Sequence, residues 1–186
     1  MTSISLNLQH GGAQGSLLVL GGARSGKSRF AEGAITALPA PWLYLATGRA
    51  FDDEMRARIA QHQQERGKVG WQTVEEPFDV AKVLQQYSGT PVLLDCLTLW
   101  LTNLLLDEHN IAAATQALLS SLQTRKAPTV LVGNEVGLGI VPESRLGRRF
   151  RDEAGLLHQR LAACVGKVVF VAAGLPLVLK NEDAAR

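Results

Sequence analysis

The stretch that decides the fold is Leu17-Leu18-Val19-Leu20-Gly21-Gly22-Ala23-Arg24-Ser25-Gly26-Lys27-Ser28. Its first four residues are a wholly apolar run that meets glycines, which is typical of a buried parallel strand. The next eight satisfy G-x-x-x-x-G-K-[ST], in which glycines let consecutive backbone N–H groups turn towards phosphate oxygens. Lys27 would neutralise the β- and γ-phosphates, the Ser28 hydroxyl would ligate Mg²⁺, and the following helix would point its positive end at the same anion. The pattern predicts a nucleotide site.

Apolar strands alternate with helices along the rest of the chain, which predicts a parallel sheet covered on both faces. We expect a three-layer α/β fold of the P-loop, RecA-like class, with residues 1–15 as a flexible N-terminal tail and residues 16–186 as one catalytic domain. The predicted strands are 17–20, 42–46, 71–74, 92–95, 129–132, 168–172 and 177–179. The predicted helices are 27–38, 53–66, 78–87, 97–107, 111–124 and 143–164.

Composition excludes several classes of protein. The chain has 186 residues, a formal net charge of +2 and 5% aromatic residues, which disfavours duplex DNA binding and base-stacking platforms. Two cysteines in apolar runs, Cys96 and Cys164, fit reduced thiols of a cytoplasmic protein. The N-terminal segment lacks the features of a signal peptide, and no apolar run is long enough for a membrane span. A guanine-reading N-K-x-D motif is absent from the sequence, which disfavours a signalling GTPase.

A second carboxylate should stand on the metal side of the phosphate loop, at the end of a neighbouring strand. Asp95 closes the predicted strand 92–95 and fits this role, although capping of the next helix is the alternative. Glu75 and Glu76 follow the strand 71–74 and could take this role instead of Asp95 or together with it, with a solvated turn as the alternative.

Two further features lie at the expected ligand edge. His62 shares a predicted helix face with Arg58 and Arg66, which allows a nucleophile towards phosphorus or simply a surface histidine. A glycine-rich loop at 133–142 includes Glu135, which could orient an acceptor or a metal-bound water. After it comes a basic helical stretch that fits a phosphate contact, a subunit contact or a solvated face: Arg145, Arg148, Arg149 and Arg151.

Several blocks of the chain resemble the bifunctional adenosylcobinamide kinase / adenosylcobinamide-phosphate guanylyltransferase family of cobalamin biosynthesis. The resemblance runs in order from Leu17 to Lys180 and leaves out only the N-terminal tail. The blocks are the phosphate loop at 21–28, Tyr44-Leu45-Ala46-Thr47, Asp52-Asp53-Glu54-Met55-x-x-Arg58-Ile59-x-x-His62, Trp71-x-Thr73-x-Glu75, Asp95-Cys96-Leu97-Thr98, Thr102-Asn103-Leu104-Leu105, Asn134-Glu135-Val136-Gly137-x-Gly139-Ile140-Val141-Pro142 and Phe150-Arg151-Asp152-x-Ala154-Gly155.

The resemblance implies two reactions. A nucleoside triphosphate, ATP or GTP, would phosphorylate the aminopropanol hydroxyl of adenosylcobinamide. A histidine would then take GMP from GTP and pass it to adenosylcobinamide phosphate, giving adenosylcobinamide-GDP for nucleotide-loop assembly. The family histidine falls on His62, and a homo-oligomer such as a trimer is implied. Nucleotide contacts fall on Gly21, Gly22, Ala23, Arg24, Ser25, Gly26, Lys27, Ser28, Thr47, Gly48, Arg49, Glu75 and Asp95, with Gln63, Gln64 and Glu65 as further candidates.

The chain departs from the family pattern at one point that matters. Some members carry two adjacent histidines, whereas Gln61 and Gln63 flank His62 here, so only His62 can serve. Some members keep only the guanylyltransferase activity, so the sequence leaves open whether the kinase step is retained. Alternatives are a small-molecule kinase without nucleotidyl transfer, a RecA-like ATPase and a regulatory nucleotide binder.

Overall fold

A computed structural model describes residue 8, residues 10–49 and residues 70–185 of the chain. Seven strands of this part form one sheet in the order β3-β2-β4-β5-β1-β6-β7, and only β7 runs antiparallel to its neighbour. The strands are β1 (Leu17–Gly21), β2 (Trp42–Ala46), β3 (Trp71–Glu75), β4 (Val92–Asp95), β5 (Thr129–Asn134), β6 (Lys167–Ala172) and β7 (Leu175–Asn181).

Helices of the described residues cover both faces of the sheet. They are α1 (Lys27–Thr36), α2 (Val80–Gln86), α3 (Leu97–Leu106), α4 (Ile111–Thr124) and α5 (Arg145–Cys164), with a 3-10 turn at Glu182–Ala185. Side chains of successive strand residues point to opposite faces. In β1, Leu18 packs with helices α2 to α5, whereas Leu17 packs with α1 on the other face. The predicted three-layer, mostly parallel fold is therefore confirmed.

Most element boundaries lie within two residues of the prediction, and capping explains the clearest shifts. Helix α5 begins at Arg145 rather than at residue 143, because the Ser144 hydroxyl accepts a hydrogen bond from the Gly147 N–H at 3.0 Å. Strand β5 extends to Asn134, two residues into the predicted glycine-rich loop, because it keeps pairing with β1 up to Gly21. The predicted helix at 53–66 lies outside the described residues.

The described part of the N-terminal segment contacts the domain. Leu8 is buried beside Leu17 and Val19, and the Gly166 N–H donates to the Ala13 carbonyl at 3.0 Å. Apolar burial of Leu8 and the backbone hydrogen bond at Ala13 thus place these two residues against the rest of the domain. Among the described residues, no helix has the length and apolar character needed to cross a membrane.

Candidate active site at the carboxyl edge of the sheet

The predicted phosphate loop connects β1 to α1. Gly26, the residue before α1, has a φ of 94°, a left-handed conformation that favours glycine. A Cβ on Gly21 would lie 2.4 Å from the Val171 carbonyl oxygen, so glycine is also required where the loop leaves the sheet. The two glycines let the backbone turn sharply between β1 and α1, as the motif requires.

Charge is concentrated where this loop meets α1. The Lys27 side chain is buried, and its Nζ donates to the Gly22 carbonyl oxygen at 3.2 Å, which holds the ammonium inside the loop. Helix α1 has neither an acidic residue in its first turn nor a side-chain cap at Gly26. The positive end of its dipole is therefore not offset by a nearby carboxylate of the helix and can face an anion.

Asp95 lies at the last position of β4, at the same edge of the sheet. The Tyr44 hydroxyl donates to its Oδ2 at 3.1 Å. The expectation that Asp95 ends a strand next to β1 is wrong, because β5 lies between β4 and β1. At about 4.8 Å per strand, the two strand axes are about 10 Å apart. Asp95 and the phosphate loop therefore lie at the same edge of the sheet, with the end of β5 between them.

Thr47 follows β2 and supports the turn after Asp95. It is fully buried, and its hydroxyl donates to the Cys96 carbonyl oxygen at 2.7 Å and accepts from the Cys96 N–H at 2.9 Å. The Asp95–Cys96 peptide bond is cis. Asn103 of α3 donates to the Thr47 carbonyl at 2.7 Å. The hydroxyl of Thr47, a residue predicted to contact nucleotide, thus forms its hydrogen bonds with the backbone of Cys96.

Arg49 is the next polar side chain along this segment, two residues beyond Thr47, with Gly48 between them. Its guanidinium makes two hydrogen bonds to the Asp107 carboxylate, at 3.0 and 3.1 Å, and lies 5.5 Å from the centre of the Phe78 ring. Phe78 stacks on His109 with ring centres 4.8 Å apart. These contacts place Arg49 at the carboxyl edge, beside the start of the segment that carries His62.

Glu75 and Glu76 stand at the far edge of the sheet. Glu75 ends β3, four strand spacings from β1, which is about 19 Å. The Glu76 carboxylate accepts hydrogen bonds from the N–H groups of Phe78 and Asp79, both at 2.9 Å. This distance and these contacts favour Asp95 as the carboxylate on the metal side of the phosphate loop.

The glycine-rich loop and the phosphate loop share a cavity. The Glu135 N–H donates to the Gly21 carbonyl oxygen at 3.0 Å, so the two loops leave adjacent strands in contact. The cavity between them has a volume of about 510 Å³. It is lined by residues 22–25, 135, 136, 138, 139 and 170–173.

His158 of α5 supports this loop from below. A Cβ on Gly133 would lie 2.7 Å from His158 Nε2, so the ring is packed directly against the end of β5. Burial lowers the pKa of His158, and the charge of Glu135 partly opposes the shift. A neutral imidazole is therefore favoured beneath the loop.

The predicted basic stretch is divided by local contacts. Arg148 donates to the Pro142 and Glu143 carbonyl oxygens, and Arg151 pairs with Asp152 at 3.1 Å. Arg149 lines a separate cavity between α4 and α5. The arrangement therefore does not gather the arginines into one anion site.

The remaining predicted site residues, His62, Gln63, Gln64 and Glu65, lie outside the described residues. Three contributors were missed by sequence reasoning: Tyr44, Asn103 as a donor to Thr47, and Asp107. Tyr44 and Asp95 are diagonal neighbours on adjacent strands, and only the strand order reveals that contact.

Comparison with known proteins identifies the family. The family model described as cobinamide kinase / cobinamide phosphate guanyltransferase matches residues 17–179. The chain belongs to this family. A bifunctional adenosylcobalamin biosynthesis protein, CobP, of Pseudomonas aeruginosa is 47% identical over 169 residues, covering 89% of this chain and 97% of the relative. CobU of Escherichia coli is 43% identical over 181 residues, covering 88% of this chain and 99% of the relative.

Solved structures support the fold at low sequence identity. The flagellar accessory protein FlaH of Methanocaldococcus jannaschii aligns with a TM-score of 0.52 and 13% identity, over 94% of this chain and 80% of that one. A protein of Pyrococcus horikoshii aligns with a TM-score of 0.52 and 10% identity, over 92% and 88% of the two chains. The family, the α/β P-loop fold and the kinase and guanylyltransferase class expected from the sequence are thereby confirmed.

Proposed function

We propose that the chain phosphorylates adenosylcobinamide with a nucleoside triphosphate at the phosphate loop and then transfers GMP from GTP to the product through His62. The observation that carries the proposal is the buried ammonium of Lys27, held inside a glycine loop at the positive end of α1, at the same sheet edge as Asp95. Such a loop binds the phosphates that both reactions require.

In the kinase step, the acceptor hydroxyl attacks the γ-phosphorus of the triphosphate. The bond from that phosphorus to the β–γ bridging oxygen breaks, the nucleoside diphosphate leaves, and the hydroxyl proton passes to solvent. Lys27 and the N–H groups of residues 22–26 neutralise the charge on the transferred group. ATP and GTP would both fit this role, because a loop of this kind binds phosphate oxygens, which the two nucleotides share.

Mg²⁺ fits the donors at this site. Ser28 and Asp95 offer a hydroxyl and a carboxylate, the hard oxygen ligands that Mg²⁺ prefers together with phosphate oxygens. When bound, the ion supplies charge neutralisation across the β- and γ-phosphates. Tyr44 orients the Asp95 carboxylate through its hydrogen bond of 3.1 Å.

In the guanylyl step, an imidazole nitrogen of His62 attacks the α-phosphorus of GTP, and pyrophosphate leaves. The phosphate oxygen of adenosylcobinamide phosphate then attacks the same phosphorus, the N–P bond breaks, and adenosylcobinamide-GDP is released. Nucleophilic catalysis divides one displacement into two easier ones. Arg49 and Glu75 would contact the nucleotide in this step, and residues 63–65 are further candidates for such contacts.

Two properties of the whole protein complete the proposal. We propose a homo-oligomer, such as a trimer, supported by the exposed leucines of edge strand β7: Leu175, Leu177 and Leu179. The free thiols of Cys96 and Cys164 and the dependence on nucleoside triphosphates support a cytoplasmic enzyme with residues 16–186 as its catalytic domain.

The decisive experiment incubates the protein with GTP labelled at the α-phosphorus. We expect a covalent adduct that is labile in acid and stable in alkali, as an N–P bond should be. His62→Ala should lose the adduct, whereas the control His10→Ala, at an exposed histidine, should keep it. Lys27→Ala should lose both activities by more than about a hundredfold. ATP-dependent phosphorylation without any adduct would assign the chain to small-molecule kinases, and label retained in His62→Ala would remove that residue from the mechanism.

A further inference from the structure

An apolar loop borders the phosphate loop and faces outward. We define it as residues 135–144, whose side chains Leu138, Ile140 and Val141 are 83%, 97% and 56% exposed. Large apolar side chains this exposed and this close together on a protein surface commonly mark a binding site.

The apolar loop is anchored at both ends. At its start, the Asn134 N–H donates to the Thr98 hydroxyl at 2.7 Å, and the Glu135 N–H donates to Gly21. At its end, Arg148 donates to the Pro142 and Glu143 carbonyl oxygens. The exposed apolar side chains are therefore presented on a fixed backbone.

The apolar loop lines a cavity that borders the phosphate loop. Leu138 and Val136 line the cavity of about 510 Å³ together with backbone of the phosphate loop and Phe170. An acceptor whose hydroxyl must reach a γ-phosphate beside Lys27 has to place the rest of its structure next to that loop. Within the described residues, the apolar loop places exposed apolar side chains in a cavity that the phosphate loop also lines.

We propose that the apolar loop binds the corrin ring of the acceptor, an inference that rests on the proposed function. A corrin ring is a broad macrocycle that carries methyl groups as well as amide side chains on its rim, and Leu138 and Ile140 offer an apolar contact for its methyl-bearing parts. Glu135 lines the same cavity, its carboxylate accepts a hydrogen bond from the Gly137 N–H, and it would lie towards the polar side chain that carries the hydroxyl. If a second copy of the chain bound to the apolar loop instead, it would block access of the acceptor to the cavity.

The test uses the double variant Leu138→Ser/Ile140→Ser in the full chain. Both side chains are exposed, so their removal should leave the fold intact. The matched control is Leu156→Ser on α5, where the leucine is 50% exposed. We expect the KM for adenosylcobinamide, and its Kd by equilibrium dialysis, to rise about tenfold in the double variant. The KM for ATP should stay within about twofold of the wild-type value, as should both corrinoid constants in the control.

Formation of the GMP adduct separates this proposal from the proposed function. The adduct forms without corrinoid, so the double variant should make it at the wild-type rate. An unchanged Kd for adenosylcobinamide would overturn the proposal, as would equal losses for ATP and corrinoid. A changed molar mass by light scattering, with or without a change in affinity, would assign the patch to a contact between copies and also overturn it. If the wild-type protein formed no adduct and bound no corrinoid, the proposed function would fail, and this inference with it.

Discussion

The Thr47 hydroxyl is the most informative single group to remove. Thr47→Val keeps the shape of the side chain but removes both hydrogen bonds to Cys96, at 2.7 and 2.9 Å, in a residue that is fully buried. The Cys96 carbonyl oxygen keeps the Trp100 N–H as a donor at 3.1 Å, whereas the Cys96 N–H loses the hydroxyl that accepts its hydrogen bond. The substitution therefore removes one bond and leaves a buried donor without that acceptor.

The expected loss follows from those two terms. A buried donor without an acceptor costs about 1–3 kcal/mol, and a neutral hydrogen bond contributes about 1 kcal/mol. Part of this loss is offset by burial of the added methyl group, about 0.8 kcal/mol. We expect Thr47→Val to lower the free energy of unfolding by about 1–3 kcal/mol. For a domain of this size, Tm should fall by about 2–12 °C.

Urea unfolding and calorimetry measure the effect, and Thr36→Val provides the matched control. Thr36 is exposed and donates to the Glu32 carbonyl within α1 at 2.9 Å, so the same substitution there should change stability by less than about 0.5 kcal/mol. Because Cys96 follows Asp95 directly, kcat of the phosphoryl step should also fall in Thr47→Val, with little change in the KM for ATP. A stability equal to that of the control variant would refute the role assigned to the hydroxyl.

Three further predictions concern buried polar groups. Burial lowers the pKa of His158, so that, as the pH falls, the unfolded chain takes up a proton near pH 6.5 and the folded chain does so only at lower pH. The free energy of unfolding should therefore fall between pH 7 and pH 5, and His158→Gln should flatten that slope in urea titrations; parallel slopes would contradict the assignment. Asn103→Leu removes the donor to the buried Thr47 carbonyl and the partly buried Pro77 carbonyl and should cost about 2–3 kcal/mol in the same assay, whereas a loss below about 0.5 kcal/mol would contradict the role of that amide. Asp183→Ala leaves the buried ammonium of Lys167 without its partner at 2.8 Å and should cost about 2 kcal/mol, with Lys167→Met/Asp183→Ala recovering part of the loss; no recovery would show that the buried charge is not the cause.

The fold could be predicted from sequence because local signals and burial agree. Leu17 to Leu20 pack on both faces, so an unbroken apolar run is what a central parallel strand requires. The order of the strands was not predictable, because nothing local in the run 92–95 states that β5 lies between β4 and β1. The order of the strands also determines which carboxylates lie close enough together to form one site.

The candidate site was predictable where one segment of chain suffices. The phosphate loop has its glycines, Lys27 and Ser28 within eight consecutive residues, so a sequence motif is enough to predict it. Contacts between distant segments were not predictable: Tyr44 with Asp95 and Arg49 with Asp107 are each more than 50 residues apart in sequence. The bonds of the Thr47 hydroxyl to the Cys96 backbone, 49 positions away in sequence, were not predictable for the same reason.

The strand order also limits how the two proposed reactions can share one nucleotide site. The segment that carries His62 leaves β2, and the phosphate loop leaves β1, three strand spacings or about 14 Å away. Roughly fifteen residues separate Thr47 from His62, and even at the helical rise of 1.5 Å per residue they could extend about 22 Å. That reach would allow the histidine of the proposed reaction to approach a nucleotide bound at the phosphate loop. Asp95 ends β4, which lies between β2 and β1, and we therefore expect Asp95→Asn to slow both reactions by similar factors.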